Sequence, residues 1–258
     1  MPRKLKRLTQ TFDEFLHDCR FNDKWQKAKQ ASSVNTGADA LEFTGSNNYD
    51  EAIELALHGY PEGVQWIKDG LDQVGAKKGL QLEPVYDLAG DEADLDRFLS
   101  GEPENMVTYE YSVRGGVKFL DVYFSYAYAC SQDQPEIIKR GVDVLSNIDS
   151  LENNNFRIRL IAYFYSSKKK QPFLHEIIIK DYQEQIELDR MSLVMVHPSM
   201  LRRLGFRIVE IYAPTLTTSG YGTTTSHHFD DIDGIDVGGF TFSTEAIETS
   251  FNKYTEEA

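Results

Sequence analysis

Oxygen-bearing side chains that could hold a metal ion lie at and just after the end of the aromatic segment Val117–Tyr128. They are Ser125, Ser131 and Asp133. A divalent cation needs several donor atoms converging at about 2.0 to 2.6 Å, and two hydroxyls with one carboxylate supply few of them. We therefore expect ordinary loop chemistry at this position, with neither a metal ion nor another cofactor.

Other catalytic patterns are absent from the sequence. It contains neither a Gly-x-Ser-x-Gly nucleophile turn nor a Gly-x-x-x-x-Gly-Lys-Ser/Thr phosphate loop. Glu102 and Glu104 flank Pro103, which directs the two carboxylates along an extended segment and away from a shared acid/base cleft. These observations predict a protein that is not an enzyme.

A second polar group surrounds the segment that begins at His197. Pro198 follows this histidine, so the imidazole should lie at a strand end, where open α/β sheets bind ligands. Three arginines come next, and their forked guanidinium groups suit an anion or an acidic partner loop: Arg202, Arg203 and Arg207. The alternative is an internal ion pair with Glu210 or Asp189.

Tyrosines are concentrated on neighbouring predicted strands. Alternation should place half of them in the core, and the others could contact a protein or stack on bases. We expect docking to use two loops, the one from Tyr126 through Tyr128 to Asp133 and the one over His197–Arg203.

Composition and charge limit the possible partners. The 258 residues carry a net charge of −14, which opposes binding to duplex DNA. Basic residues near the N-terminus and at Lys168–Lys170 leave single-stranded nucleic acid as an alternative partner. No apolar run approaches the length of a membrane span, and the two cysteines fit no disulfide framework, so we expect a cytoplasmic protein.

The pattern of elements favours an α/β fold with a mostly parallel or mixed central sheet, flanking helices and a helical N-terminal region. Its best-supported part is a strand–helix–strand unit over 117–165, with the helix over Pro135–Leu151. We predict a helical region over 1–105 that packs on the core, an α/β core over 106–214, and a flexible acidic tail over 215–258.

Individual elements are predicted from periodicity and turn residues. Helices are expected over 11–31, 49–58, 62–74, 91–99 and 198–204, and a short strand or turn over 38–45. Strands are expected over 85–88, 107–113, 117–128, 157–165, 175–180, 191–196 and 206–212. Of these, 107–113 and 117–128 are expected to pair as a hairpin. A second, weak hairpin is expected in the tail.

The order of elements from Val117 to Tyr212 resembles a von Willebrand factor A-like domain. In that family the first strand ends in an Asp-x-Ser-x-Ser metal loop, whereas this chain has Ser125 and no aspartate before the serines. The resemblance therefore implies the scaffold without its metal site.

Three further segments make the chain similar to an uncharacterised family associated with bacteriophage genomes. They are Gly59–Gly63, Gly101–Met106 and His197–Arg203, the last followed by Phe206 and Glu210. This similarity implies a phage protein and carries no known activity.

Together these features predict a non-enzymatic phage protein that binds another protein in assembly or regulation. The alternative is an accessory factor that binds single-stranded DNA in phage transcription or replication.

Overall fold

A five-stranded sheet forms the centre of the computed structural model, which describes residues 5–22, 38–74, 82–111, 117–128, 134–166, 172–218, 234–238 and 244–255. In spatial order, its strands are β1 (Lys6–Thr11), β7 (Phe173–Lys180), β6 (Phe156–Ser166), β5 (Lys118–Ser125) and β8 (Gly234–Asp236). All neighbours are parallel except β6 and β7. The predicted mixed, mostly parallel α/β sheet is confirmed.

A separate three-stranded antiparallel sheet has the order β2 (Leu82–Asp87), β4 (Met106–Tyr111), β3 (Glu92–Ala93). Gly90 lets the turn between β2 and β3 lie close to β4. A Cβ on this glycine would lie 2.9 Å from the Val107 carbonyl carbon and oxygen, too close for any side chain.

Helices surround the central sheet. In chain order they are α1 (Phe12–Phe21), α2 (Ala38–Thr44), α3 (Tyr49–His58), α4 (Pro61–Val74), α5 (Leu95–Leu99), α6 (Gln134–Glu152), α7 (Leu188–Val196), α8 (Phe206–Tyr212) and α9 (Thr244–Thr255). A π-helix at Met200–Gly205 leads into α8, which is followed by a 3-10 helix at Pro214–Thr218.

Local sequence explains where the first helices begin. Thr11 and Glu14 form the predicted capping box of α1, in which each side chain accepts a hydrogen bond from the other residue's backbone N–H. Asn48 caps α3 by accepting from the Glu51 N–H at 2.9 Å, and Pro61 occupies the first position of α4.

One face of the central sheet packs against the helices to form the main core. Alternate residues of β5 enter this core, namely Leu120, Val122 and Phe124. The opposite face has a smaller buried cluster made of Tyr123, Ile161, Tyr163 and Leu174.

Several predicted strands are wrong. The segments 191–196 and 206–212 lie in helices α7 and α8, and 38–45 is largely helix α2. The first two are buried along almost their whole length. An apolar run that is buried all round has no polar face to reveal its period, so helix and strand look alike in the sequence.

The predicted hairpin of 107–113 with 117–128 is also wrong. Both segments contain strands, but β4 pairs with β2 and β3, whereas β5 pairs with β6 and β8. Nearness along the chain suggested a pairing that the two sheets do not use.

Shorter elements differ as well. Within 91–99, Glu92–Ala93 is a strand and only Leu95–Leu99 is helical. The expected short helix at 198–204 is the π-helix Met200–Gly205. Strand β1 was not predicted, and the region after 214 contains strand β8 and helix α9. The central sheet therefore draws strands from each of the three predicted segments of the chain.

Candidate functional site

The described residues predicted to form the docking face are buried. Tyr126 and His197 are 1% and 4% exposed, and Arg203 is fully buried. Tyr128, Arg202 and Arg207 are also buried, whereas Ser131 and Asp133 lie outside the described residues. Binding by these residues stays a prediction, and a partner would reach the buried ones only if the surrounding packing opened.

Tyr126 begins a chain of buried hydrogen bonds across the sheet. Its hydroxyl lies 2.8 Å from His175 Nδ1, and His175 Nε2 lies 3.1 Å from Gln10 Oε1. Because the Gln10 oxygen only accepts, His175 Nε2 carries the proton and Nδ1 accepts from Tyr126. Gln10 Nε2 continues the chain to Asp18 Oδ2 at 2.8 Å.

No sequence pattern signals this network, because His175 lies 165 residues after Gln10 and 49 residues after Tyr126. Burial lowers the pKa of His175 to about 3, so the ring is neutral at ordinary pH. The network joins β1, α1, β7 and the end of β5, and its Tyr126, His175 and Gln10 side chains are buried.

His197 has a similar structural setting. Its Nδ1 accepts from the Ser199 N–H at 3.1 Å, and its ring meets the Tyr60 ring edge-on at 4.6 Å between centroids. Burial lowers the pKa of His197 to about 4. The imidazole is therefore neutral and unsuited to attracting an anion.

The three arginines connect the π-helix and α8 to earlier parts of the chain. Arg203 Nη2 donates to Thr44 Oγ1 at 3.2 Å and to the Ser46 carbonyl at 3.1 Å. Arg202 donates to the Phe43 carbonyl and stacks on the Phe43 ring at 4.2 Å.

Arg207 Nη2 donates to the Cys19 carbonyl at 3.4 Å, and its guanidinium stacks on the Tyr49 ring at 4.5 Å. These contacts fix α1, α2 and α3 against the segment 200–212.

A guanidinium occupies the end of β5, where the von Willebrand factor A-like resemblance would place a metal loop. Arg140 of α6 donates to the Ser125 carbonyl and to the Val237 carbonyl, both at 2.8 Å. Ser125 Oγ bonds within its own turn, to the Ala127 carbonyl at 3.2 Å. Burial lowers the pKa of Arg140 to about 9, which still leaves it charged at neutral pH.

Arg140 therefore supplies the positive charge between the ends of β5 and β8. Within the ranges that the structure describes, no group of three or more His, Cys, Asp and Glu side chains is arranged to hold a metal ion.

Exposed apolar side chains are instead concentrated on the three-stranded sheet and its helix α5. We call Leu95, Phe98 and Leu99 the apolar knob; they are 69%, 60% and 81% exposed. Their spacing of three and four residues places them on one face of α5. Leu88, between β2 and β3, is 71% exposed. The three-stranded sheet and α5 together form a unit over residues 82–111. This unit presents apolar surface of the kind that marks interaction sites.

The unit that carries the knob is well connected internally. Asp94 caps α5 by accepting from the N–H groups of Asp96 and Arg97, at 3.0 and 3.1 Å. The Arg97 guanidinium stacks on the Tyr86 ring at 3.8 Å and pairs with Glu102 at 3.2 Å. The knob is therefore held on an ordered scaffold that leaves its side chains in solvent.

Negative charge is concentrated in the same unit. Residues 82–111 contain nine Asp and Glu against the single Arg97, a net charge of −8 out of −14 for the chain. Among the described residues of this unit, the carboxylate that forms an ion pair is Glu102, which pairs with Arg97. Sequence reasoning missed this combination of an exposed apolar knob and an acidic unit.

Comparisons with known proteins give a family and no activity. Neither the curated proteins nor the solved structures include a significant match to this chain. No helix in the described ranges has the length and apolar character needed to cross a membrane. The family model for a domain of unknown function, DUF7192, matches residues 4–251, so the chain belongs to the DUF7192 family.

Proposed function

We propose that this chain is a non-enzymatic protein-binding factor that acts in assembly or regulation and docks through the apolar knob. The observation that carries the proposal is the exposure of Leu95, Phe98 and Leu99 on one face of an ordered helix. A short amphipathic helix normally buries such a face. A partner with an apolar groove would remove this surface from water.

The free energy gained by burying the knob is large enough for it to supply most of the binding energy of an interface. Removing a Leu or Phe side chain from water contributes about 1.5 to 3 kcal/mol. Three neighbouring anchors held on a preformed scaffold match the usual pattern, in which a few central side chains supply most of the binding energy. The surrounding contacts would then provide shape and register.

The central sheet serves as the scaffold in this proposal. We propose that it is a von Willebrand factor A-like platform without a metal, and that the chain is phage-encoded and works in the host cytoplasm. The parallel β5–α6–β6 unit and the Arg140 guanidinium at the end of β5 support the first part. The second part rests on the three sequence segments that resemble a phage-associated family.

Single-stranded DNA binding is the weaker alternative. Arg7 forms a two-pronged pair with Glu176, at 2.6 and 2.7 Å, so its charge is compensated. Tyr123, Tyr126 and Tyr163 are buried, which removes them as stacking platforms. Lys168–Lys170 lie outside the described residues.

Photo-crosslinking tests the proposed docking surface. A photoreactive amino acid replaces Leu99 in cells that naturally make the protein, and a second variant has it at exposed Leu57 on α3 as a matched control. We expect Leu99, and not Leu57, to crosslink to one other protein. That protein is then purified and titrated with the whole chain.

We expect Leu95→Ser/Leu99→Ser to weaken this binding at least tenfold, which corresponds to about 1.4 kcal/mol. Both leucines are largely exposed, so an unchanged circular dichroism spectrum should accompany the loss. Equal crosslinking from Leu57, crosslinks only between copies of this chain, or full affinity in the double variant would contradict the proposal.

A further inference from the structure

We infer that the apolar knob binds a basic partner protein, in which Lys or Arg side chains border an apolar groove. This inference rests on the proposed function and adds the chemical class of the partner. It is carried by the distribution of charge around the knob.

Exposed carboxylates lie on the elements that hold the knob. Asp91 and Glu92 are exposed at the β3 end of the unit, and Asp96 is exposed within α5 itself. A groove that receives Leu95 and Leu99 must therefore approach several negative charges. Charges of opposite sign at the groove's edge would stabilise the complex, and charges of the same sign would oppose it.

The contrast with the rest of the chain strengthens the argument. The unit 82–111 has a net charge of −8, which leaves −6 for the other 228 residues. Arg97, its single basic residue, is already engaged with Tyr86 and Glu102. The unit therefore carries a large net negative charge of its own, which can steer a basic partner toward the knob.

The same charge opposes a second copy of this chain as the occupant. Two knobs that met face to face would bring together two units of −8 each. Like charges placed against each other at an interface cost several kcal/mol. A heterologous basic surface has no such penalty.

A pair of synthetic peptides tests the inference directly. The probe is an amphipathic helical peptide made of Leu and Lys, and its twin has Glu in place of every Lys. Fluorescence anisotropy measures binding of each labelled peptide to the whole chain. We expect the Lys peptide to bind and the Glu peptide not to bind.

Two matched charge variants distinguish attraction of the Lys peptide to the carboxylates near the knob from its general attraction to an acidic protein. Asp91→Asn/Glu92→Gln/Asp96→Asn removes three charges beside the knob, and Asp13→Asn/Glu62→Gln/Asp72→Asn removes three exposed charges from α1 and α4. We expect at least a tenfold loss of affinity for the Lys peptide in the first triple variant and less than a twofold loss in the second. Leu95→Ser/Leu99→Ser should also lose at least tenfold.

The possible outcomes distinguish this inference from the proposed function. Equal losses in the two triple variants, or no loss in Leu95→Ser/Leu99→Ser, would show general attraction to an acidic protein and overturn the inference. A crosslinked partner that binds the first triple variant with unchanged affinity would overturn only the basic character of the partner. Crosslinks that form only between copies of this chain would overturn both.

Discussion

Replacing Arg203 by methionine should lower the free energy of unfolding by about 3 to 5 kcal/mol. The guanidinium is fully buried and donates to Thr44 Oγ1 and the Ser46 carbonyl. Hydrogen bonds to a charged group contribute about 1.5 to 3 kcal/mol each, and acceptors left without a donor in the core add a penalty. Most domains have only about 5 to 15 kcal/mol of stability, so the loss is a large fraction of it.

Urea unfolding followed by circular dichroism measures this effect. Arg20→Met is the matched control, because Arg20 is exposed in the last turn of α1. Its unfolding free energy should change by less than about 0.5 kcal/mol. A loss below about 1 kcal/mol for Arg203→Met would show that Thr44 and Ser46 find other donors and that Arg203 is not the connection we describe.

Acid should destabilise the fold well above the pH at which most carboxylates titrate. The pKa of His175 is lowered to about 3 and that of His197 to about 4, in both cases mainly by burial, whereas an unfolded histidine has a pKa of about 6.5. Below pH 6.5 the unfolded chain binds protons that the folded chain does not. The stabilisation is therefore complete above that pH and is lost as the pH falls toward the folded pKa values.

The expected loss approaches about 1.4 kcal/mol per pH unit for each histidine, which gives on the order of 3 kcal/mol for both between pH 6.5 and 5. Urea unfolding at a series of pH values gives the slope. His197→Asn keeps a side-chain acceptor and removes a titrating ring, so it should reduce the slope by about half. A flat profile in the unmodified chain would contradict the assignment.

The strand–helix–strand unit could be predicted because its signals are local and agree with one another. Helix α6 has apolar residues at helical spacing, among them Ile137, Leu145 and Ile148, and strands of alternating residues lie on both sides. A parallel pair needs a crossover of this length, so the topology followed from the elements. Strand β1 was missed because its only deeply buried residue is the polar Gln10.

The candidate site was harder to predict because sequence patterns report residue type and not exposure. Arginines and tyrosines are typical of binding surfaces, yet Arg203 and Tyr126 are core residues here. Leu95, Phe98 and Leu99 have the spacing of a core-facing helix, yet they lie in solvent. In both cases tertiary packing decides the exposure, which the spacing of residue types along the chain does not reveal.

The pairing of β1 with β7 has a consequence for how the chain matures during synthesis. Lys6 is aligned with Phe173, so β1 leaves the ribosome more than 160 residues before its partner strand is made. Until then β1 has no native neighbour in the central sheet. Its partner β7 is also synthesised after β5 and β6. Such long-range closure slows folding and exposes strand edges to other chains. Deleting residues 1–11 would remove β1 and leave one edge of β7 permanently unpaired. We therefore expect the shortened protein to aggregate.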